Sequence, residues 1–235
     1  MPNYSAAIRI NPNYADAFNN RGKAYSDQRD YSRAITDLSE AIRIDPRYAL
    51  AFKNRGNAYM GQNDYPRAAA DYREAIHILP KYADAIMNLG NVYFLQKDYP
   101  RAIVNYNEAI SIDPLGPNSF HNRGQAYSRQ KDYPRAIADF SEAVRIEPQF
   151  AEAFHARGSV YVALKDYPRA IADYDAAIRI EPRFVLAILD RGNTALLQGH
   201  VQDAWNDFDT AHRLVPGDAR SLYGRGYAAT QLGRT

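Results

Sequence analysis

The chain holds no cysteine, one tryptophan and three methionines among its 235 residues. Without cysteine there is no disulfide frame, no thiolate nucleophile and no Cys-based metal site. The absence does not choose a compartment, since such a chain suits cytosol and periplasm alike. No apolar run approaches the roughly 20 residues that a bilayer-spanning helix needs, and no charged-then-apolar leader opens the sequence. Membrane insertion is therefore not expected. Charge of one sign is lacking too: Lys+Arg 29 against Asp+Glu 27 leaves +2, too weak a field to point to nucleic acid. What remains is an ordinary folded balance, 46% apolar and 24% charged, with 19 tyrosines.

Those tyrosines are periodic. Gly22, Gly56, Gly90, Gly124, Gly158, Gly192 and Gly226 recur 34 residues apart. Tyr25, Tyr59, Tyr93, Tyr127 and Tyr161 keep the same register, as do Ala34 through Ala204 and Pro46 through Pro216. A fixed period of this size marks a solenoid, in which each unit buries its core against its neighbours. Full units run 15–48, 49–82, 83–116, 117–150, 151–184 and 185–218, within a single array over 1–235. The segment 1–14 reads as a lone second helix and 219–235 as a lone first helix. The sixth unit drifts, with Ala195 for the tyrosine and Gly199-His200-Val201 for a Lys-Asp-Tyr turn.

Within 49–82, Phe52, Arg55, Gly56 and Tyr59 fall at helical spacing, and Ala68, Tyr72, Ala75 and Ile76 do so again. Asn63 suits a left-handed turn between them, Asp64 an N-cap, and Pro66 a first helical turn. Pro80 closes the second helix. The unit is a helical hairpin. Phe52, Arg55-Gly56, Tyr59, Ala68, Tyr72, Ala75 and Pro80 resemble the tetratricopeptide repeat (TPR) pattern, with Phe or Ile for its Trp and Arg for its Leu. The resemblance covers essentially the whole chain. It implies an all-α, right-handed α-solenoid, or superhelix, of helix-turn-helix hairpins, whose first helices line a concave groove that binds protein segments.

One column departs from that pattern in an orderly way. Arg21, Arg55, Arg123, Arg157 and Arg191 precede the glycine, and Asp37, Asp71, Asp139, Asp173 and Asp207 follow sixteen residues later. The third unit has Leu89 and Asn105 in these places. An unpaired charge beside a core glycine would be costly, so the covariation predicts a structural Arg–Asp pair in each of the other hairpins.

The stripe opposite the core positions is where a ligand is expected. Asn20, Asn54, Asn88 and Asn122 occupy one place in four successive units, and Lys23, Asn57, Asn91 and Gln125 lie three residues on. Asparagine is a mediocre helix former, yet its amide offers donors and an acceptor together. Such a column can hold the backbone of an extended peptide. It is similar to the asparagine ladder of the TPR superhelix of O-linked N-acetylglucosamine transferase; the competing reading is that the amides bond one another. Lys53, Asn57 and Asn88 also match part of the carboxylate clamp of TPR co-chaperones, but Asn118 and Asn122 stand where that clamp has cations. Lys53 is expected to attract an acidic group, and Met60, Met87 and Phe94 an apolar side chain. Leu95 reads as packing between adjacent first helices.

His121 and His155 lie at equivalent places, but no third ligand stands at a sensible spacing, so no metal site is expected. No nucleophile–base pair or phosphate loop is present in the pattern, so no catalytic residue and no cofactor are expected. The stripe Arg33, Arg67, Arg101, Arg135 and Arg169 reads as a solvated face. The expected function is a protein-interaction scaffold that binds an extended peptide of a partner, in the cytoplasm, with the periplasm open should an N-terminal segment be missing. Two alternatives stand beside it. One is head-to-tail self-assembly, with Ala219–Leu232 of one copy completing a hairpin with Pro2–Ile10 of the next. The other is a substrate-recruiting module of a larger enzyme.

Overall fold

A computed structural model describes residues 2–234; Met1 and Thr235, the outermost residues of the two expected half units, lie outside them. Among the described residues all regular structure is helical, and the chain divides into two compact units at Leu115. The first holds α1 (Pro2–Ile10), α2 (Ala15–Asp27), α3 (Tyr31–Ile44), α4 (Ala49–Gly61), α5 (Tyr65–Ile78), α6 (Ala83–Leu95) and α7 (Tyr99–Ile112). The second holds α8 (Pro117–Arg129), α9 (Tyr133–Ile146), α10 (Ala151–Ala163), α11 (Tyr167–Ile180), α12 (Val185–Leu197), α13 (Val201–Leu214) and α14 (Ala219–Gln231). Within each unit the helices pair as consecutive hairpins. Successive first helices also touch, α2 with α4 and α4 with α6, then α8 with α10, α10 with α12 and α12 with α14. Successive second helices within a unit do not. In both units the first helices therefore line the inner face.

Local sequence explains each hairpin. The turn needs one residue in the left-handed region, supplied by Arg29 (φ 62°), Asn63 (61°), Lys97 (63°), Lys131 (63°) and Lys165 (61°), and by Gly199 (78°) in the sixth hairpin. Such a conformation costs a non-glycine residue roughly 1–2 kcal/mol, and the cap that follows helps to hold it. Asp30, Asp64, Asp98, Asp132 and Asp166 each accept a bond from the backbone N–H three residues on, as N-cap side chains do. The arginine at that third position is exposed and pairs with the same aspartate. Its guanidinium also lies over the column tyrosine, at 4.4 Å for Arg33 over Tyr25 and 4.7 Å for Arg169 over Tyr161. The arginine stripe is thus a set of braced turns rather than merely a solvated face.

The hairpin interior rests on two contacts. Gly56 lies against the Tyr72 ring so closely that a Cβ would meet Cε1 at 2.6 Å, and Gly22, Gly90, Gly124 and Gly158 meet Leu38, Tyr106, Phe140 and Tyr174 in the same way. Beside the glycine, the predicted arginines each grip their aspartate through Nε and Nη2 at 2.5–3.0 Å, in all five hairpins that carry both residues. In the third hairpin Leu89 is buried with Ala68, Ala69, Tyr72 and Val92 instead.

These contacts predict opposite effects of one substitution at two glycines. Gly56→Ala forces its methyl into the Tyr72 ring and costs roughly 1–3 kcal/mol. Gly226→Ala meets nothing within 4 Å and gains roughly 0.5–1 kcal/mol through helix propensity. Urea denaturation of the two variants beside wild type checks both signs.

Candidate functional site

The inner face of the first unit carries most of the amide column, and the structure shows how those amides are held. Asn57 is exposed. Its Oδ1 accepts from Tyr72 Oη at 2.7 Å and from Asn88 Nδ2 at 3.0 Å. Asn88 Oδ1 accepts from Asn91 Nδ2 at 3.4 Å, and Asn91 Oδ1 accepts from Tyr106 Oη at 2.8 Å. The two tyrosine rings are the core residues that cover the glycines, so the amide chain is anchored at both ends in the hairpin interiors. Burial raises the phenol pKa of Tyr72 and Tyr106, which keeps both as donors.

Asn54 does not stand on the exposed stripe. It is 5% exposed, and its Nδ2 donates at 2.9 Å to Asn19 Oδ1, which is itself buried on α2. Asn19 in turn donates to Asn20 at 3.2 Å, on the exposed end of this short chain. Position 54 lies on the flank that the preceding hairpin covers, so for this residue the amides do bond one another. Met60 likewise packs against the buried cluster of Tyr72, Leu89 and Val92. Phe94 is half-buried edge-on to Tyr99 at 5.5 Å, and Met87 is half-buried on α6. Lys53 is half-buried, its ammonium 6.0 Å from the Tyr82 ring. Leu95, read from the pattern as packing between helices, is 49% exposed.

The second unit repeats the scheme with other side chains. Asn122 and Gln125 are half-buried on α8, and Gln125 bonds His121 at 2.8 Å where Phe140 offers no hydroxyl. Ser159 takes the hydroxyl of Tyr174 at 3.3 Å. His155 contacts Asp190 at 2.8 Å across the same 35-residue step that joins Asn19 to Asn54. His121 is buried between the Phe140 and Phe150 rings, at centroid distances of 5.5 and 5.0 Å. No group of three metal-ligating side chains lies together among the described residues, and no helix there is long and apolar enough to cross a membrane.

Comparison with known proteins agrees with this architecture. Family models described as "TPR repeat" and "Tetratricopeptide repeat" match residues 56–97 and 90–131, 15–48, and 121–183 and 189–235. The chain is a tetratricopeptide repeat protein. No curated protein matches it. Among solved structures it is similar to the Cut9–Hcn1 hetero-tetramer of APC/C, with TM-score 0.82 and 16% identity over 96% of this chain, which spans 44% of that one. It is also similar to PilF of Pseudomonas aeruginosa, with TM-score 0.78, 21% identity and coverage of 91% and 97% of the two chains. YrrB, described as a TPR protein with an unusual peptide-binding site, aligns with TM-score 0.59 and 22% identity over 79% of this chain and 95% of its own. At these identities the likeness speaks for the TPR fold alone.

One titration in this TPR array has a sign that can be measured. Burial, aided by His155, lowers the His121 pKa from 6.5 to about 4, against a weaker opposing pull from Glu152. The unfolded state then binds more protons between these values, so stability is complete above about 6.5 and is lost as pH falls towards 4. The loss amounts to roughly 2–3 kcal/mol. His121→Leu, with the residue type found at Leu189 in the same column, removes that component. Urea titrations of both proteins from pH 7 to 4 should show wild type losing stability that the leucine variant keeps, by roughly the amount above.

Proposed function

We propose that this TPR array, a protein-interaction scaffold, binds an extended peptide segment of a partner protein on the inner face of its first unit. Asn57 carries the reading. Its oxygen is fully engaged by Tyr72 and Asn88, so its orientation is fixed and its exposed nitrogen presents two donors away from the core. A pre-oriented donor on a rigid helix suits a peptide carbonyl, because little freedom remains to be lost on binding. Asn20 and Asn88 extend the amide row along the same unit, and Asn91 lies beside Asn88. Lys53 stands at the side to attract an acidic group, and Met87 with the outer edge of Phe94 takes an apolar one. Asn54 and Met60 hold consecutive hairpins in register. In the second unit Asn122 and Gln125 occupy the matching columns. The unusual peptide-binding site named for YrrB supports peptide recognition as a use of this fold.

The test begins with a peptide selected from a displayed library on the wild-type chain. Calorimetry then compares a Tyr72→Phe reference with the same protein carrying Asn57→Ala and Asn88→Ala. The phenylalanine background removes the hydroxyl that Asn57 would otherwise leave stranded, and Phe140 is the natural precedent for it. Loss of two direct bonds weakens the peptide roughly tenfold to a hundredfold. Unchanged affinity in the variant would sink the groove reading.

A further inference from the structure

The sixth hairpin departs from the repeat at several places. Ala195, Val201 and Asp203 stand where Tyr161, Tyr167 and Arg169 do one unit earlier, and Phe208 stands where Tyr174 does. The last of these changes reaches the inner face. Asn193 shares the column of Asn57 and Asn91, whose oxygens receive the hydroxyls of Tyr72 and Tyr106. Phe208 has no hydroxyl to give, and Asn193 is exposed with no hydrogen-bond partner among the described residues. Packing therefore does not call for asparagine there, and asparagine is a mediocre helix former. Its amide keeps two donors and an acceptor free.

The surroundings of that amide are apolar. On α14, Gly224 takes the place of the Asn54 column and lies so close to Phe208 that a Cβ would meet the ring at 2.7 Å. Tyr223 and Tyr227, one turn apart on α14, stand where Lys53 and Asn57 do in the first unit. Tyr223 is 78% exposed and Tyr227 48%. Between α12 and α14 they border a hollow of about 220 Å³ floored by Leu189, Leu196 and Phe208, with Asn193 on its rim. Asn193 also borders a hollow of about 530 Å³ towards the hairpin turn, where Val201 is smaller than the tyrosine of the other hairpins. Exposed rings at the mouth of an apolar hollow are a feature of binding surfaces. The ions beside them are already partnered. Arg220 bonds Asp218 at 3.1 and 2.7 Å, and Asp190 contacts His155 at 2.8 Å. The electrostatic complement of this surface is therefore an uncharged side chain.

We propose that the smaller hollow receives a phenylalanine side chain from an extended segment of a partner protein. The ring packs on Phe208 between Tyr223 and Tyr227. The Asn193 amide donates to a main-chain carbonyl of the segment and accepts from a main-chain N–H, using both ends that the hairpin leaves free. A proline at the contacted position would leave the Asn193 oxygen without that donor. The site lies in the second unit and is independent of the amide row on the first.

The probe is acetyl-Ala-Phe-Ala-methylamide, titrated into the full chain and followed by NMR of backbone and side-chain amides. Saturable shifts confined to residues 186–231, the Asn193 side-chain amide among them, are expected. The lysine counterpart should bind at least about tenfold more weakly. Asn193→Ala and Tyr223→Ser change exposed side chains and leave folding intact, and each should weaken the phenylalanine peptide roughly tenfold. Asn57→Ala in the Tyr72→Phe background should leave its affinity unaltered, so this reading and the groove reading fail separately. Equal binding of the lysine peptide, an affinity unmoved in either variant, or no saturation in the millimolar range overturns the proposal. Capture of the chain by neutral phosphatidylcholine vesicles, lost in Tyr223→Ser and without any peptide binding, would assign the rings to a lipid surface instead and overturn it too.

Discussion

The contact on which each hairpin depends is a guanidinium fork beside a glycine. Arg55 reaches from α4 to Asp71 on α5 with two bonds and to Ser39 on α3 with a third at 3.0 Å. Three helices are therefore fixed by one side chain. Arg21 does the same through Ser5, and Arg157 through Ser141 at 2.9 Å. The geometry is possible because Gly56 lets the Tyr72 ring approach the α4 backbone. A carboxylate this far from water would be expensive alone, and the bidentate pair gives each of its oxygens a charged donor while the serine hydroxyl accepts a further guanidinium N–H. The third hairpin shows that the fork is one solution among others. There Leu89 packs into the cluster around Tyr72, in line with the general result that well-packed apolar residues replace a buried ion pair at little cost.

From this constraint the inner face follows. The ring that covers each glycine is tyrosine in three hairpins, and its hydroxyl emerges on the inner side, where Asn57, Asn91 or Ser159 receives it. The polar row on the first helices is therefore wired to the core. Its members are oriented by packing that the repeat maintains for its own stability, and under the proposed function the donors left over from that packing are what a peptide would meet. Core and inner face share the same hydrogen bonds, so the face is rigid without extra support.

Much of this was legible in the residues. The 34-residue period placed every hairpin, and the helices α2, α4, α6, α8, α10, α12 and α14 begin where the expected units begin. The arginine–aspartate pairs were legible because two columns varied together, with Leu89 and Asn105 as the informative exception. The sidedness of Asn54 was not. A helical wheel separates the flank that meets its own partner helix from the rest, but it does not say which remaining flank the previous hairpin covers. Asn54 and Asn57 lie one turn apart on the same wheel sector, yet Asn54 is buried against Asn19 and Asn57 is exposed. The angle between successive hairpins decides this, and that angle comes from many packing contacts rather than from any one column. Met60 and Leu95 exchange places with expectation for the same reason.

A repeat also supplies its own controls, and the sixth hairpin shows what they are worth. Ala195 alone would be a modest truncation and Asp203 alone an ordinary surface residue. Their meaning lies in being the ring and the cation of one pair, lost together, around a cavity. Simple relaxation of the repeat would predict small apolar or neutral replacements and a collapsed gap, because voids and unpaired charge both cost stability. Here the gap stays open and its charge is inverted. Arg191 meanwhile takes Asp175, and Arg225 takes Asp209, where Arg21, Arg55 and Arg157 each meet a serine, so towards the end of the array the third contact of the arginine becomes a second ion pair.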